Sequence, residues 1–499
     1  MIKLEDLQDF FQRKKMHMVL AADAEPRIHQ RKNSEITTIA PAGGVSIALD
    51  PIAQISQGVF VARGKTKEDR EVVNGSGKIK IDGDFGSYLL KRVFINEKER
   101  DDYYNGFSNQ TLWPLCHVAY EQPVFEKNWY ENYKKVNQYF AKAVTDEVKP
   151  NSFIWINDYQ LALVPSFIKK PKDATLAMFW HIPWPTWEIF RTLPEKLDIL
   201  ESLLSCDFLA FHRGYHVRNF LDTVRRELEV RIDEETSRVY YKKRVITVRN
   251  LPMGIDTDVI KSLVRETPKD TFVGNVVQKL VGEKKERSEL DKFFDNNKVI
   301  VGIDRLDYTK GIRVRLKAID KFFEKNPQYI EKAVYVGIIA PSREQIPSYK
   351  ALRVEIKKLA HEINLKYLKK GWMPINLIYH IFTREDIINF YQKSKICLVT
   401  PLDDGMNLVS KEFVVAASRE KDPGIIVLSQ FAGSAIDLTS ALIINPYDID
   451  EVAEAIKTGL EMGRPEKIRR MNKMAEALEE KNIYAWTEDF VRAALDASR

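Results

Sequence analysis

The stretch "CLVTPLDDGMNLVSKEFVVAAS", Cys397–Ser418, decides how the chain is read. A short apolar run breaks at Pro401, Asp403 and Asp404 stand at the break, and a helix-like pattern resumes after Gly405. Apolar run, polar turn, amphipathic helix is the repeating unit of a parallel sheet with helices on both faces. Working outward, the same unit recurs on both sides. Strands are predicted at Met18–Ala21, Phe153–Ile156, Leu176–Phe179 and Phe208–Phe211 in the first half. The second half offers Val299–Ile303, Ala333–Ile339, Ile396–Val399, Ile425–Leu428 and Leu442–Ile444.

With 499 residues the chain exceeds one ordinary core, so two domains are expected. The seam falls in "NLPMGIDTDVI", Asn250–Ile260, where Pro252 and Gly254 interrupt the pattern. This predicts an α/β protein of two Rossmann-like doubly wound domains facing a central cleft, with boundaries at 1–255 and 256–480. The last stretch, 481–499, reads as a helix crossing back to the first domain, with Trp486, Phe490, Val491 and Leu495 at helical spacing. A second terminal helix is expected near Ile2–Phe11, with a packing role.

Composition excludes several classes. Lys and Arg number 77 against 71 acidic residues, without a dense basic tract, so no nucleic-acid partner is expected. Three scattered cysteines suit neither a disulfide framework nor a thiolate zinc cluster and fit a reducing cytoplasm. No apolar run reaches membrane-spanning length, and the N-terminus lacks a signal-peptide core. Neither a G-x-G-x-x-G nor a G-x-x-x-x-G-K-[ST] loop follows a strand, which disfavours a nicotinamide enzyme and a P-loop kinase.

Ligands of open α/β sheets bind beyond the carboxyl ends of strands, so the polar residues there are the site candidates. "FIWINDYQL" runs into Asp158, "LAMFWHIPWP" into His181, "VIVGIDRLDYTKG" into Arg305 and Lys310, and "VGIIAPSRE" into Arg343, while the opening stretch ends on Asp404. Any one of these reads equally as a cap or turn residue; five across both halves indicate a shared site. Arg305 supplies a planar fork of donors and Lys310 a mobile charge, a pairing suited to a diphosphate. Gly311 is placed to open the next helix and add backbone N–H groups. The competing reading is a surface ion pair with Asp304 or Asp307. His181 lies in an aromatic setting that suits a core histidine as well as a ligand contact, and no His pair has a convincing metal-ligand spacing. Gly43 and Gly44 precede a helical run and fit either a phosphate or sugar loop or a plain turn.

The segments "YYNGFSNQTLWPLCH", "WINDYQLALVP", "FWHIPWPTWEIFRTLP", "IDRLDYTKGI", "IAPSRE", "TPLDDGMNLVSKEFVVA", "VLSQFAG" and "INPYDIDEVAEAI" together resemble the trehalose-6-phosphate synthase family of retaining glycosyltransferases, in order from Tyr103 to Tyr447. The resemblance implies a GT-B fold, an acceptor-binding first domain and a nucleotide-sugar-binding second one. It implies transfer of glucose from UDP-glucose to glucose 6-phosphate with no metal or cofactor. On this resemblance Arg305 and Lys310 hold the donor diphosphate, Glu412 the ribose, and Asp404 with Gly405, Met406, Asn407 and Leu408 the donor glucose. Gly44 belongs to the donor side, Phe382 to the uracil pocket, and His181 to the transferred sugar. Asp158, Tyr104, Trp113 and Arg343 frame the acceptor. The partners implied are a nucleotide sugar and a phosphorylated acceptor, and a homo-oligomer is admitted.

Two departures stand out. The family's first strand commonly leads into Ser-Asn-Arg, whereas this chain has Ala22 and Asp23, with Arg27 and Arg31 as the nearest basic candidates. Asp403 stands where the family often has arginine. Both changes remove positive charge and leave glycerol 3-phosphate or a cyclitol as alternative acceptors. A catalytically silent sugar-phosphate sensor is the alternative of a different class.

Overall fold

Long apolar runs bounded by turn formers become buried strands when helices cover both faces of a sheet. The computed structural model describes residues 2–40, 44–266 and 293–498; Gly43 lies outside them. The chain divides into two compact units, 1–254 with 483–499, and 255–482.

Unit 1 contains β1 (His17–Ala21), β2 (Ile28–Lys32), β3 (Glu35–Ile39), β4 (Val59–Arg63), β5 (Lys78–Gly83), β6 (Gly86–Val93), β7 (Ser152–Asn157), β8 (Thr175–Trp180), β9 (Phe208–Phe211), β10 (Arg231–Asp233), β11 (Arg238–Tyr241) and β12 (Arg244–Asn250). Among the described residues ten of these form one sheet in the order β10-β11-β12-β9-β8-β7-β1-β4-β6-β5, and β2 and β3 pair as a separate hairpin. The centre is parallel, with β1 flanked by β7 and β4; the two margins are closed by antiparallel hairpins. All six residues of β7 and of β8 are buried.

The two terminal helices cover this unit. Leu4–Lys14 buries Leu7, Phe10 and Phe11. Ile483–Ala497 buries Trp486, Phe490 and Val491, stacks Phe490 on Trp155 of β7 at 4.3 Å, and donates from the Trp486 indole to the Leu251 carbonyl at 3.1 Å. Leu495 is only partly buried.

Unit 2 carries β13 (Lys298–Arg305), β14 (Ala333–Ala340), β15 (Ile375–Tyr379), β16 (Ile396–Val399), β17 (Ile425–Ser429) and β18 (Leu442–Ile444). They form a parallel sheet in the order β15-β14-β13-β16-β17-β18. Strand order therefore reverses between β13 and β16, the switch point at which such sheets open a ligand crevice. A buried strut braces that point. Arg315, on the helix after β13, bonds Asp304 at 2.6 Å, Thr400 at 2.9 Å and the Lys310 carbonyl at 3.2 Å.

Candidate active site

In unit 2 the parallel arrangement brings the ends of β13, β14, β15 and β16 to one edge of the sheet. Arg305 terminates β13 and is exposed. The chain then makes one turn, Tyr308–Lys310, capped by Asp307, which accepts from Thr309 N at 3.1 Å. Gly311 opens the helix Ile312–Lys325 with φ +64°, and a Cβ there would lie 2.1 Å from the Thr400 carbonyl oxygen, so only glycine fits. Lys310 reaches across the switch point to Asp404, Nζ to Oδ2 at 2.5 Å. Of the two aspartates in the competing ion-pair reading, Asp304 is engaged by Arg315 at 2.6 Å and Asp307 by Arg343 at 3.2 Å.

The loop after β16 is shaped around Asp404. Its N–H donates to the Phe431 carbonyl at 3.2 Å and its carbonyl accepts from Gly433 N at 2.9 Å. A Cβ on Gly433 would come 1.9 Å from the Gly405 carbonyl oxygen, so these two loops can touch only through glycine. The Asp404 carboxylate also accepts from the Asn407 amide at 3.1 Å and Met406 N at 3.4 Å. Asn407, at φ +73°, caps the helix Leu408–Ala417 by accepting from Ser410 N at 3.0 Å.

Glu412 lies on that helix and is 24% exposed, with Arg384 at 3.3 Å. Burial pushes its carboxyl pKa up, opposed by the Arg384 charge. Its neighbour Lys411 is turned inward onto Asp437 at 2.7 Å, both nearly fully buried. Phe382 sits between β15 and the helix Arg384–Lys393, 6% exposed and edge-on to Phe390. Arg343, after β14, is 4% exposed at the side chain and donates to Asp307 and to the Tyr349 hydroxyl at 2.5 Å.

In unit 1, Asp158 follows β7 at φ +75°, a backbone state rare for residues other than glycine and common at functional sites. One carboxylate oxygen accepts from Tyr159 N at 2.9 Å and from His181 N at 3.2 Å, which ties the ends of β7 and β8 together. The His181 ring stacks on Phe179 at 4.4 Å, and its Nε2 lies 3.1 Å from Asn157 Oδ1. Its Nδ1 is buried without a hydrogen-bond partner, which costs about 1–3 kcal/mol. Burial alone pushes the imidazole pKa down to about 3. Trp113 is buried beside Tyr159, ring centres 5.8 Å apart. Tyr104 lies on a π-helical stretch, Asp101–Leu112, with the Arg63 guanidinium 5.1 Å over its ring. Gly44 caps the helix Val45–Ser56 and is exposed.

The end of β1 carries a residue that strand-end reasoning missed. Asp23 forms a buried two-pronged pair with Arg63 at 2.8 and 2.9 Å and accepts from the Tyr103 hydroxyl at 3.0 Å. Arg63 ends β4, "VFVAR", so the rule that selected Asp158 would have selected it had that strand been identified. The two basic candidates nearby are committed elsewhere, Arg27 to Asp50 at 2.6 Å and Arg31 to Glu71 at 2.5 Å. Among the described residues, no group of three His, Cys, Asp or Glu side chains is arranged to hold a metal ion, and no helix is long and apolar enough to cross a membrane.

Two doubly wound α/β units, the second with charged groups gathered at its switch point, make a fold of the GT-B kind. The model of glycosyltransferase family 20 matches residues 15–496, and the chain belongs to that family. It is 34% identical over 412 residues to the UDP-forming alpha,alpha-trehalose-phosphate synthase A of Dictyostelium discoideum, covering 82% of this chain and 54% of that protein. The chain thus spans about half the length of that curated relative. Among solved structures it is similar to the E. coli trehalose-6-phosphate protein bound with UDP-2-fluoro glucose, at TM-score 0.82 and 29% identity over 96% of this chain and 99% of that one. It is also similar to the UDP-forming synthase from Burkholderia xenovorans in complex with glucose-6-phosphate, at TM-score 0.81 and 26% identity, again over 96% and 99%.

Proposed function

We propose that this chain is a retaining glucosyltransferase that moves glucose from UDP-glucose to glucose 6-phosphate, giving trehalose 6-phosphate. The observation that carries the reading is the Arg305, Lys310, Asp404 and Glu412 constellation around the β13–β16 switch point, complete in a member of this family. The ligands named for the two solved relatives, a UDP-sugar analogue and glucose-6-phosphate, support the same pair of substrates.

In this reading Arg305 and Lys310 bind the donor diphosphate, and Lys310 exchanges part of its contact with Asp404 for phosphate. Asp404 and the backbone of Gly405, Met406, Asn407 and Leu408 hold the glucose hydroxyls, Glu412 the ribose, and Phe382 flanks the uracil. Gly44 and His181 contact the donor sugar. Asp158, Tyr104 and Trp113 bind acceptor hydroxyls. Arg343 serves the acceptor phosphate, a role that requires its guanidinium to give up part of its contact with Asp307 and Tyr349. The first domain, 1–255, is the acceptor domain and 256–480 the donor domain.

As the bond from the anomeric carbon to the diphosphate breaks, charge grows on the leaving oxygen, and Arg305, Lys310 and backbone N–H groups stabilise it. The acceptor hydroxyl forms its bond from the same face, and its proton passes to the departing phosphate. Retention then needs no second carboxylate nucleophile of the kind retaining glycosidases use. Incubation with UDP-, ADP- or GDP-glucose against glucose 6-phosphate or glycerol 3-phosphate tests the reading. UDP release with a new disaccharide phosphate is expected from UDP-glucose and glucose 6-phosphate; nucleotide binding without release for every pair would overturn it.

A further inference from the structure

Asn157, the last residue of β7, is fully buried. Its amide nitrogen donates to the Ala21 and Trp155 carbonyls, each at 3.3 Å. Two carbonyl acceptors fix the amide's orientation, so the group 3.1 Å from His181 Nε2 is the oxygen. An oxygen there can only accept, which requires Nε2 to carry the ring proton and leaves Nδ1 as a lone pair. That lone pair is buried without a partner.

We propose that Asn157 is a positioning residue that holds His181 as the Nε2–H tautomer, so that Nδ1 accepts a hydrogen bond from a sugar hydroxyl. The inference rests on the functional reading above only in naming the sugar. A phosphate oxygen, itself an acceptor, gains nothing from such a nitrogen, so the chemistry selects a hydroxyl over an anion at this spot. The ring is poorly placed to become charged: it is stacked on Phe179, and the other titratable groups facing it are Asp158, through its contact with the His181 N–H, and the His212 ring at 5.3 Å. Burial holds the imidazole neutral through the working pH range.

The test is nitrogen NMR on the full chain with labelled histidine, with Asn157→Leu and Asn157→Asp beside the parent. The parent without ligand should show His181 protonated at Nε2 alone from pH 5 to 8. Its Nδ1 signal should move upfield with a nucleotide sugar and stay in place with the bare nucleotide. Asn157→Leu should mix the tautomers and lower kcat/KM for the donor about tenfold, the size of one hydrogen bond, with the acceptor KM unchanged. Asn157→Asp keeps an acceptor but adds charge, so kcat/KM should gain an acid limb that the parent lacks. An Nδ1–H tautomer in the parent overturns the proposal, as does an Nδ1 signal that answers sugar nucleotide and bare nucleotide alike. Should no donor and acceptor pair turn over, the functional reading fails, while the tautomer of the ligand-free protein still decides the role of Asn157.

Discussion

Two lysines a hundred residues apart in sequence but on one sheet edge show how the same charge is used differently. Lys310 is held at the rim with Asp404, 13% exposed, whereas Lys411 is buried at 2% against Asp437. Removing Lys411 leaves the Asp437 carboxylate with the exposed Lys481 at 3.7 Å, and loss of one partner of a buried pair typically costs about 3–5 kcal/mol. Lys411→Met should therefore lower the denaturation midpoint strongly, and adding Asp437→Leu should restore most of it, measured by urea unfolding of both variants. Exposed Arg305 sits at the other extreme. Arg305→Ala should change stability by no more than about 0.5 kcal/mol, yet reduce kcat by about 10²–10³, as for loss of a group stabilising a leaving oxyanion. Parallel melting and turnover measurements on this one variant separate the two effects.

At the scale of elements, the loop after β1, the hairpin of β2 and β3 and the helix Lys67–Glu71 meet on one buried guanidinium. Arg92 bonds Glu25 at 2.8 Å, Asp69 at 2.9 Å and His29 at 2.8 Å, with Glu25 and Asp69 fully buried. Burial pushes Glu25 up to about 8, while backbone N–H donors from Thr66, His29 and Lys65 hold Asp69 down at about 2 despite its burial. A carboxyl whose folded pKa is raised stabilises the fold fully below its unfolded value, and that contribution is lost as pH rises through the folded value. Stability from Glu25 should thus decline from about pH 4.5 to pH 8. Glu25→Gln, neutral throughout, should melt increasingly above the parent from about pH 5 to pH 8 and by a constant margin beyond, read by thermal scans at each pH. Legibility follows burial in the same region. Strands β1, β7, β8, β9, β13, β14, β16 and β17 were visible because continuous apolar runs mark sheets covered on both faces, and the short run of β18 was visible although Ile443 is exposed. By contrast, β2, β5 and β10 carry polar, half-exposed residues such as "IHQRK" and have no such run. The π-helical stretch carrying Tyr104, "DDYYNGFSNQTL", has no periodic signature, and its partner Arg63 went unnoticed because β4 did. Asp158, His181, Lys310 and Asp404 were legible since strand ends are fixed by where apolar runs stop. That Lys310 pairs with Asp404 was not, because it depends on the β13–β16 adjacency rather than on spacing along the chain.

For the whole molecule, the chain leaves its first unit at Gly254 and re-enters it at Ile483. The returning helix supplies core that residues 1–254 lack. Phe490 is fully buried and lies within 6.3 Å, centre to centre, of the rings of Phe153, Trp155, Phe179 and Phe208, which belong to β7, β8 and β9. Those strands end at Asn157, Trp180 and Phe211, so the helix packs beneath the strands that lead to Asp158, His181 and His212. Truncating a buried phenylalanine costs about 3–5 kcal/mol through lost burial and the cavity left behind. Phe490→Ala should therefore destabilise strands far from it in sequence and spare the sheet built of β13 to β18. Amide hydrogen exchange is the measurement: protection should fall in β1, β7 and β8 by a factor matching that energy, with β13 and β14 unchanged. Equal loss of protection in both sheets would mean that the terminal helix supports more than the unit it packs against.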